Sequence, residues 1–201
     1  MENNTNSFAY FEELRRNTES PLRRVLPVQL PYQLNLRRLV HGKTLEVGSG
    51  LGRNLRTLPP GSVGLDHNQY SVAYCQRLGL DARLLTEPPG NRLPLGADES
   101  FDTLLLAHVL EHVEWDQQLS LIQTFLPFLN SQGHLVLITP QEKGHAATSS
   151  HISWTDTTRL LELIFGLNRS VARVRSFSFP FHRIAGRWFT HNEFIVCAQF
   201  A

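Results

Sequence analysis

The stretch TLEVGSGLG at residues 44–52 decides the fold, because it predicts a short strand that runs directly into a glycine turn. Glycines at 48, 50 and 52 permit backbone conformations that other residues avoid, and they let a ligand approach the main chain closely. Residues 53–58 predict the start of a helix, which Pro59-Pro60-Gly61 would close. The free N–H groups at the N-terminus of that helix would face the same ligand.

A second strand is predicted over residues 62–65, and it ends at Asp66. A carboxylate at this point can accept hydrogen bonds from both hydroxyls of a ribose, so the turn and the acid together fit a nucleoside lying across adjacent strand ends. The dinucleotide fingerprint G-x-G-x-x-G is the nearest competitor. Its third position falls here on Arg53, and the third glycine comes one residue early, at Gly52.

The rest of the chain continues to alternate strands with helices. A continuous apolar run at residues 101–106 predicts a central parallel strand buried on both faces. Further strands are predicted at 82–85, 134–139, 171–179 and 193–200, and further helices at 70–78, 116–129 and 159–165. Seven strands in this order predict an α/β fold with a mostly parallel sheet that ends in an antiparallel strand pair.

The first 42 residues differ from this pattern. Phe8, Phe11 and Leu14 share one helical face, prolines at 21, 27 and 31 prevent one long helix, and residues 31–41 predict a short amphipathic helix. The segment is too short to bury a core of its own. We therefore expect a single domain over residues 1–201, in which residues 1–42 form a helical cap on a core of residues 43–201.

The composition excludes several classes of protein. With 41% hydrophobic and 18% charged residues among 201, the chain is too apolar for a disordered protein. A net charge of +1 argues against a general binder of nucleic acids or membranes. Two cysteines cannot form a disulfide framework, and no secretory or membrane-spanning segment is visible. We expect a soluble, cytoplasmic protein, and the sequence leaves its oligomeric state undetermined.

Four motifs in order resemble those of the class I S-adenosylmethionine-dependent methyltransferases, in their type-11-like branch. The matching residues are LEVGSGLG at 45–52, Asp66, the segments 93–95, 99–102 and HVLEH at 108–112, and GHLVLITP at 133–140. The resemblance covers residues 44–140. It implies a Rossmann-like, doubly wound sheet with helices on both faces. It also implies an enzyme that uses S-adenosylmethionine and releases S-adenosylhomocysteine.

The resemblance also implies roles for individual residues. The turn, and Glu46 before it, would lie under the methionine portion of the cofactor, Asp66 would hold the ribose, and His67 would flank it. Glu87 would lie near the adenine amine, although the loop 87–92 is longer than in the family. Ala107 and His108 would border the transferred methyl group. The full set expected to bind the cofactor is Glu46, Gly48, Ser49, Gly50, Gly52, Asp66, His67, Glu87, Ala107 and His108.

Residues 108–112 also match H-x-x-E-H, the signature of inverted zinc peptidases. That motif needs both histidines on one helical face, whereas His108 directly follows a buried strand. The methyltransferase resemblance explains the string without an ion, so we expect no metal. On this interpretation Glu111 and His112 cap or orient the next helix.

Three histidines are candidates for a catalytic base or a substrate contact. They are His108 at the end of the fourth strand and His145 and His151 beyond the fifth, where His151 could instead cap the following helix. Tyr10, Phe11 and Tyr32 of the cap are candidates for a lid over the cofactor. We expect in-line methyl transfer to a small-molecule acceptor.

Two other functions stay open: a catalytically silent cofactor-binding or interaction module, and a nicotinamide oxidoreductase, which Arg53 disfavours. The basic and aromatic segment 173–191 could stack nucleic acid, but it fits a final strand pair better.

Overall fold

The computed structural model describes residues 5–18, 30–86 and 93–201. Within these parts seven strands form one sheet in the order β3-β2-β1-β4-β5-β7-β6. The strands are β1 (Thr44–Val47), β2 (Val63–Asp66), β3 (Ala82–Leu84), β4 (Phe101–Ala107), β5 (Leu129–Pro140), β6 (Val171–Phe179) and β7 (Glu193–Phe200).

Strands β1 to β5 run parallel, and β7 pairs antiparallel with both β5 and β6. The sheet is the predicted one, and the C-terminal segment forms the predicted strand pair. From β1 the chain builds outward first through β2 and β3 and then, on the other side, through β4 and β5. The carboxyl ends of β1 and β4 therefore flank the point where the strand order reverses, which is where open α/β sheets bind ligands.

Six α-helices accompany the sheet in the described parts of the chain. They are α1 (Phe8–Thr18), α2 (Leu30–Leu39), α3 (Gln69–Arg77), α4 (Gln118–Phe125), α5 (Glu142–Ala146) and α6 (Thr157–Gly166). Short 3-10 turns lie at Leu55–Thr57, Leu110–His112, Leu126–Phe128 and Arg183–Arg187. None of the helices in these parts is long and apolar enough to cross a membrane. The cytoplasmic location and the single-domain organisation stay predictions.

The core lies on both faces of β4, as its unbroken apolar sequence predicts. Leu104 and Leu106 pack on one face with residues of α4 and α6, whereas Leu105 packs on the other face with Leu36 and Leu39 of α2. All three leucines of β4 are at most 1% exposed. Helices on both faces thus hold the central strand in place, and the ends of the strands stay fixed relative to one another.

The prediction of a helix directly after the glycine turn is wrong. Only residues 55–57 form a single 3-10 turn, and Leu58 is already extended. A residue before proline avoids the helical region, and Pro59-Pro60 therefore ends the helical geometry before a full α-turn can form. The glycine turn thus lacks a following α-helix whose N-terminus could bind an anion.

The helix predicted over 116–129 also ends early. Helix α4 stops at Phe125, Pro127 lies in the following 3-10 turn, and Leu129 already belongs to β5. Pairing between β4 and β5 shifts between Phe101 and Thr103, so that the polar residues 130–133 form a bulge. The strand is therefore longer than its apolar residues alone predict.

Gly52 is required for packing, which a matched pair of alanine substitutions can test. At Gly52 (φ +70°) an added Cβ would lie 2.6 Å from Leu80 Cδ1 and 2.9 Å from Cys75 Sγ, whereas at Gly79 (φ +75°) it would meet nothing within 4 Å. Both variants carry the same backbone strain. We expect Gly52→Ala to lower the free energy of unfolding by about 1–3 kcal/mol more than Gly79→Ala, because only the former overpacks its surroundings. Equal losses in urea unfolding would contradict this packing role.

Candidate active site

The glycine turn after β1 is tied to the end of β2 by three hydrogen bonds. The N–H groups of Gly48 and Ser49 both donate to the carbonyl oxygen of Leu65, at 2.7 and 3.0 Å. The N–H of Gly50 donates to Oδ2 of Asp66 at 2.7 Å. Gly48 has a φ of +73°, and a Cβ there would lie 2.5 Å from Val109 Cγ2. The turn therefore needs glycine for both its conformation and its close contact with the chain after β4.

Asp66 continues this network toward the N-terminal segment. Its Oδ1 accepts a hydrogen bond from the N–H of Asn68 at 2.8 Å. The side chain of Asn68 caps α3 by accepting from the N–H groups of Tyr70 and Ser71, and its Nδ2 donates to the carbonyl of Thr5 at 2.8 Å. One carboxylate and one amide thus join the turn, β2, α3 and the segment before α1.

A cavity of about 270 Å³ opens where these elements meet. Its size is near the lower end of the range for small-molecule sites. Parts of β1, β2, α1 and the segment after β4 surround it. Its lining consists of Thr5, Tyr10, Leu14, Val47, Gly48, Gly50, Leu65, Asp66, His67, Ser71, Leu85, His108, Val109, His112, Val113 and Leu121.

The structure places five of the ten residues expected to bind the cofactor on this cavity. They are Gly48, Gly50, Asp66, His67 and His108. Four others, Glu46, Ser49, Gly52 and Ala107, are not among the lining residues, and Glu87 lies outside the described residues. Gly52 lies close to Cys75 of α3 and to Leu80 instead, since a Cβ added at Gly52 would come within 3 Å of both side chains.

The three aromatic residues expected to form a lid have different places. Tyr10 lines the cavity, and burial together with the negative charges of Asp66, Glu13 and Glu111 raises the pKa of its hydroxyl to about 12. Phe11 is buried and contacts Tyr70 and Tyr74 of α3. Tyr32 is away from the cavity, where the guanidinium of Arg53 lies over its ring. Of the three, only Tyr10 lines the cavity.

Several polar atoms in and beside the glycine turn are buried without a hydrogen-bond partner. Glu46 is 1% exposed, and its Oε1 accepts from Nδ2 of Asn54 at 2.8 Å, but its Oε2 has no partner. Burial, opposed by the hydrogen bond from Asn54, raises the pKa of the Glu46 carboxyl to about 8. The hydroxyls of Tyr32 and Ser49 are likewise buried and unpartnered. Such atoms are costly unless a ligand or water satisfies them.

His108 lies at the end of β4 in a conformation that is rare for a residue other than glycine, with φ +60°. Its N–H donates to the carbonyl of Ile138, which fixes its backbone to β5. Its Nε2 donates to Oε1 of Glu193 at 2.8 Å, and its Nδ1 lies 3.3 Å from Oε1 of Glu111. Both ring nitrogens therefore face carboxylates.

The charges around His108 determine its protonation state. Burial by itself would lower the pKa of His108, but the negative charge of Glu193 and the contacts with both glutamates outweigh burial and raise the pKa to about 9. The ring is therefore an imidazolium near neutral pH. An imidazolium cannot accept a proton, so the expected role of a base does not fit His108, whereas a contact to a ligand does.

The other two candidate histidines do not line the cavity. His145 donates from Nε2 to the carbonyl of Ser153 at 3.1 Å, and His151 donates from Nδ1 to the carbonyl of His145 at 2.8 Å. Burial lowers the pKa of His151. His151 does not cap α6, because Asp156 does so by accepting from the N–H of Arg159.

His112 lines the cavity, a position that the sequence analysis missed. Its Nδ1 donates to the carbonyl of Ser150 at 3.0 Å, so it does not cap α4 as expected. Thr5 and Val109 were also missed. Val109 and His112 belong to the HVLEH string, which signals the region but not which of its side chains face the cavity.

The raised pKa of Glu46 makes a testable prediction about stability. The folded chain keeps this proton up to about pH 8, whereas an unfolded chain releases it near pH 4.5. The free energy of unfolding therefore falls as the pH rises from about 5 to 8. Glu46→Gln keeps the shape and an oxygen for Asn54 but cannot ionise. Between pH 5 and pH 8 we expect the wild type to lose about 2–4 kcal/mol more than this variant in urea unfolding.

Asp98→Asn provides the control for that comparison, because Asp98 is an exposed acid. Between the two pH values, the free energy of unfolding of Asp98→Asn should fall by the same amount as that of the wild type. If the free energy of unfolding of Glu46→Gln changes with pH as that of the wild type does, the conclusion that Glu46 is buried and protonated is contradicted.

Comparison with known proteins agrees with this geometry. Residues 45–137 match the family model described as "Methyltransferase domain", of the type-11 group. The match spans β1 to β5 and includes the glycine turn, Asp66 and the segment after β4. No curated protein sequence is significantly similar to the chain.

Solved structures of methyltransferases share the fold. A SAM-dependent methyltransferase from Archaeoglobus fulgidus aligns with a TM-score of 0.68 and 14% identity, covering 94% of this chain and 99% of that one. Magnesium protoporphyrin IX methyltransferase (ChlM) from Synechocystis PCC 6803 with bound SAH aligns with a TM-score of 0.64 and 15% identity, covering 98% of this chain and 96% of that one. The plantazolicin methyltransferase BpumL in complex with SAH aligns with a TM-score of 0.61 and 14% identity, covering 95% of this chain and 89% of that one.

The sheet order, the sequence motifs on its strand ends and the match over residues 45–137 agree with the family, the enzyme class and the cofactor predicted from the sequence. Residues 45–137 are similar to the methyltransferase domain of the type-11 group, and the chain shares the fold of solved methyltransferases.

Proposed function

We propose that the cavity at the ends of β1, β2 and β4 holds S-adenosylmethionine and that the chain transfers the methyl group to a small-molecule acceptor by in-line displacement. The observation that carries this proposal is the meeting of Gly50 and Asp66 on the cavity, which Tyr10 of α1 also lines. The cavity thus brings together the backbone of the glycine turn, a carboxylate that can accept hydrogen bonds from a ribose, and a tyrosine that can cover the ligand.

Asp66 is suited to bind the ribose although it already accepts two N–H groups. Each oxygen of a carboxylate has two lone pairs, so Oδ1 and Oδ2 can each accept one further hydrogen bond from a hydroxyl. The carboxylate is 6% exposed and lines the cavity, so competing water has little access. The two existing bonds also hold the carboxylate in one orientation.

The unpartnered polar atoms beside the turn are suited to bind the methionine end of S-adenosylmethionine. Oε2 of Glu46 can accept from an ammonium group, and the hydroxyls of Ser49 and Tyr32 can donate to a carboxylate. The carboxyl of Glu46 is protonated near neutral pH in the free protein, and a cation beside it would favour its ionised form. These groups do not line the cavity itself, so their use requires the turn to adjust when the cofactor binds.

The sulfonium methyl is already electrophilic, so the main task of the protein is to align the acceptor atom with it. Such alignment contributes up to about 7–11 kcal/mol.

Titration calorimetry with the unmodified chain tests this function. We expect S-adenosylmethionine and S-adenosylhomocysteine to bind with a stoichiometry of one, and NADH not to bind. Incubation with a panel of hydroxyl, thiol, amine and carboxylate compounds should then give a methylated product by mass spectrometry. Absence of binding by both sulfur compounds would overturn the proposal. Binding without transfer to any acceptor would instead favour a catalytically silent module.

The ribose assignment can be tested with Asp66→Asn. The amide keeps one acceptor oxygen but turns an NH₂ group toward either Gly50 or Asn68, so both the turn and the ribose contact are impaired. We expect the Kd for S-adenosylhomocysteine to rise about 10- to 100-fold. Asp98→Asn removes the same charge from an exposed site and should leave the Kd unchanged. An unchanged Kd in Asp66→Asn would contradict the assignment.

A further inference from the structure

Three side chains next to the cavity are arranged as metal ligands. One carboxylate oxygen of Glu111 and one ring nitrogen each of His112 and His151 all lie within 4.8 Å of one another. In the parts of the chain that the structure describes, this is the one such group of three. Two of its members come from the turn after β4, and the third comes from the loop between α5 and α6.

The backbone fixes these two segments to each other. The N–H groups of Ile152 and Ser153 both donate to the carbonyl oxygen of Glu111, at 2.8 and 3.1 Å. His151 therefore precedes two residues that are bonded directly to the ligand-bearing turn. Ligands that are far apart in sequence are held together before any ion binds.

Hydrogen bonds also set the tautomers of both histidines. Nδ1 of His112 contacts the carbonyl of Ser150, and Nδ1 of His151 contacts the carbonyl of His145. A carbonyl oxygen can only accept, so each Nδ1 carries the hydrogen and each Nε2 of the neutral ring carries a free lone pair. A histidine that donates from one nitrogen to a carbonyl and coordinates through the other is the usual arrangement at metal sites.

Glu111 supplies an independent indication of a missing partner at one of its oxygens. Its side chain is fully buried; Oε1 forms an ion pair with Nδ1 of His108 at 3.3 Å, but Oε2 has no hydrogen-bond partner in the structure. Oε1 also lies 4.0 Å from Nε2 of His151. A buried carboxylate oxygen without a partner is costly, and a cation between Glu111 and the two histidines would satisfy it.

We propose that Glu111, His112 and His151 bind one divalent transition-metal ion, such as Zn²⁺, through one carboxylate oxygen and the two Nε2 atoms. Two histidines and one carboxylate form a ligand set that suits zinc or iron(II). Ligand atoms of a tetrahedral zinc ion lie about 3.3 Å apart, so the side chains must close by at most roughly 1.5 Å. His112 lines the cavity, so an ion held by it would lie next to a molecule bound there.

This site differs from the inverted peptidase motif that the sequence suggested. In that motif His108 and His112 would be the ligands, but both ring nitrogens of His108 face carboxylates. His151, which is distant in sequence, takes the place of His108. The expectation of no metal came from the string alone and could not include the contribution of the loop.

The consequence for catalysis rests on the proposed function. An ion next to the cavity would bind a hydroxyl oxygen of the acceptor and lower its pKa. The proton leaves to solvent, the oxygen forms a bond to the methyl carbon, and the electron pair of the carbon–sulfur bond stays on sulfur. No histidine has to act as a base. The acceptor class that this favours is a hydroxyl compound able to coordinate a metal ion.

Metal binding can be measured without any turnover. The full chain, stripped with chelator, is dialysed against Zn²⁺ for metal analysis and against Co²⁺ for its visible spectrum. We expect one ion per chain and the intense absorption of four-coordinate Co²⁺. Glu111→Gln and His151→Ala should weaken binding by more than about 100-fold, because even outer partners of a metal site contribute about 10- to 100-fold. His182→Ala removes an exposed histidine and should bind like the wild type.

Circular dichroism of each variant confirms that it is folded, and Glu111→Gln preserves the side-chain shape. A wild type that retains no metal, or variants that retain as much as the wild type, would overturn the site. Calorimetry with S-adenosylhomocysteine on the same metal-free sample separates the two proposals. Cofactor binding without metal binding rejects only the metal site, and metal binding without cofactor binding rejects only the proposed function.

Discussion

The site depends on the attachment of the glycine turn to the end of β2. Two N–H groups of the turn share the carbonyl oxygen of Leu65, and a third donates to the carboxylate of Asp66. These bonds hold the turn over the strand end although no α-helix follows it. The same carboxylate reaches Asn68, which in turn holds the segment before α1. A single acid therefore positions the floor of the cavity and, through one amide, its cover.

A second constraint is electrostatic and acts at the end of β4. The positive φ of His108 directs its ring between Glu111 and Glu193, and the two carboxylates keep the ring charged. Glu193 begins the antiparallel strand β7, so the C-terminal strand pair contributes directly to the site. Because His108 is engaged by both acids, the metal site that we propose next to it uses Glu111, His112 and His151 instead.

Much of this could be predicted from the sequence, and the exceptions have physical reasons. Strand β4 was recognisable because burial on both faces leaves an unbroken apolar run, and Asp66 because an acid ends a strand beside a glycine turn. The short 3-10 turn at residues 55–57 was missed because the effect of Pro59-Pro60 outweighs helix propensity. The protonation of His108 depends in part on Glu193, which is 85 positions away, and the approach of His151 joins it to Glu111 of a distant segment. No local pattern encodes such contacts.

The central claim is that the cofactor lies in the cavity between the glycine turn and Asp66. A crystal structure of the chain with S-adenosylhomocysteine tests it most directly. We expect the ribose hydroxyls to donate to Asp66 and the sulfur to lie on the side of His108 and His112. A cofactor bound outside this cavity, or inside it with Asp66 untouched, would contradict the claim.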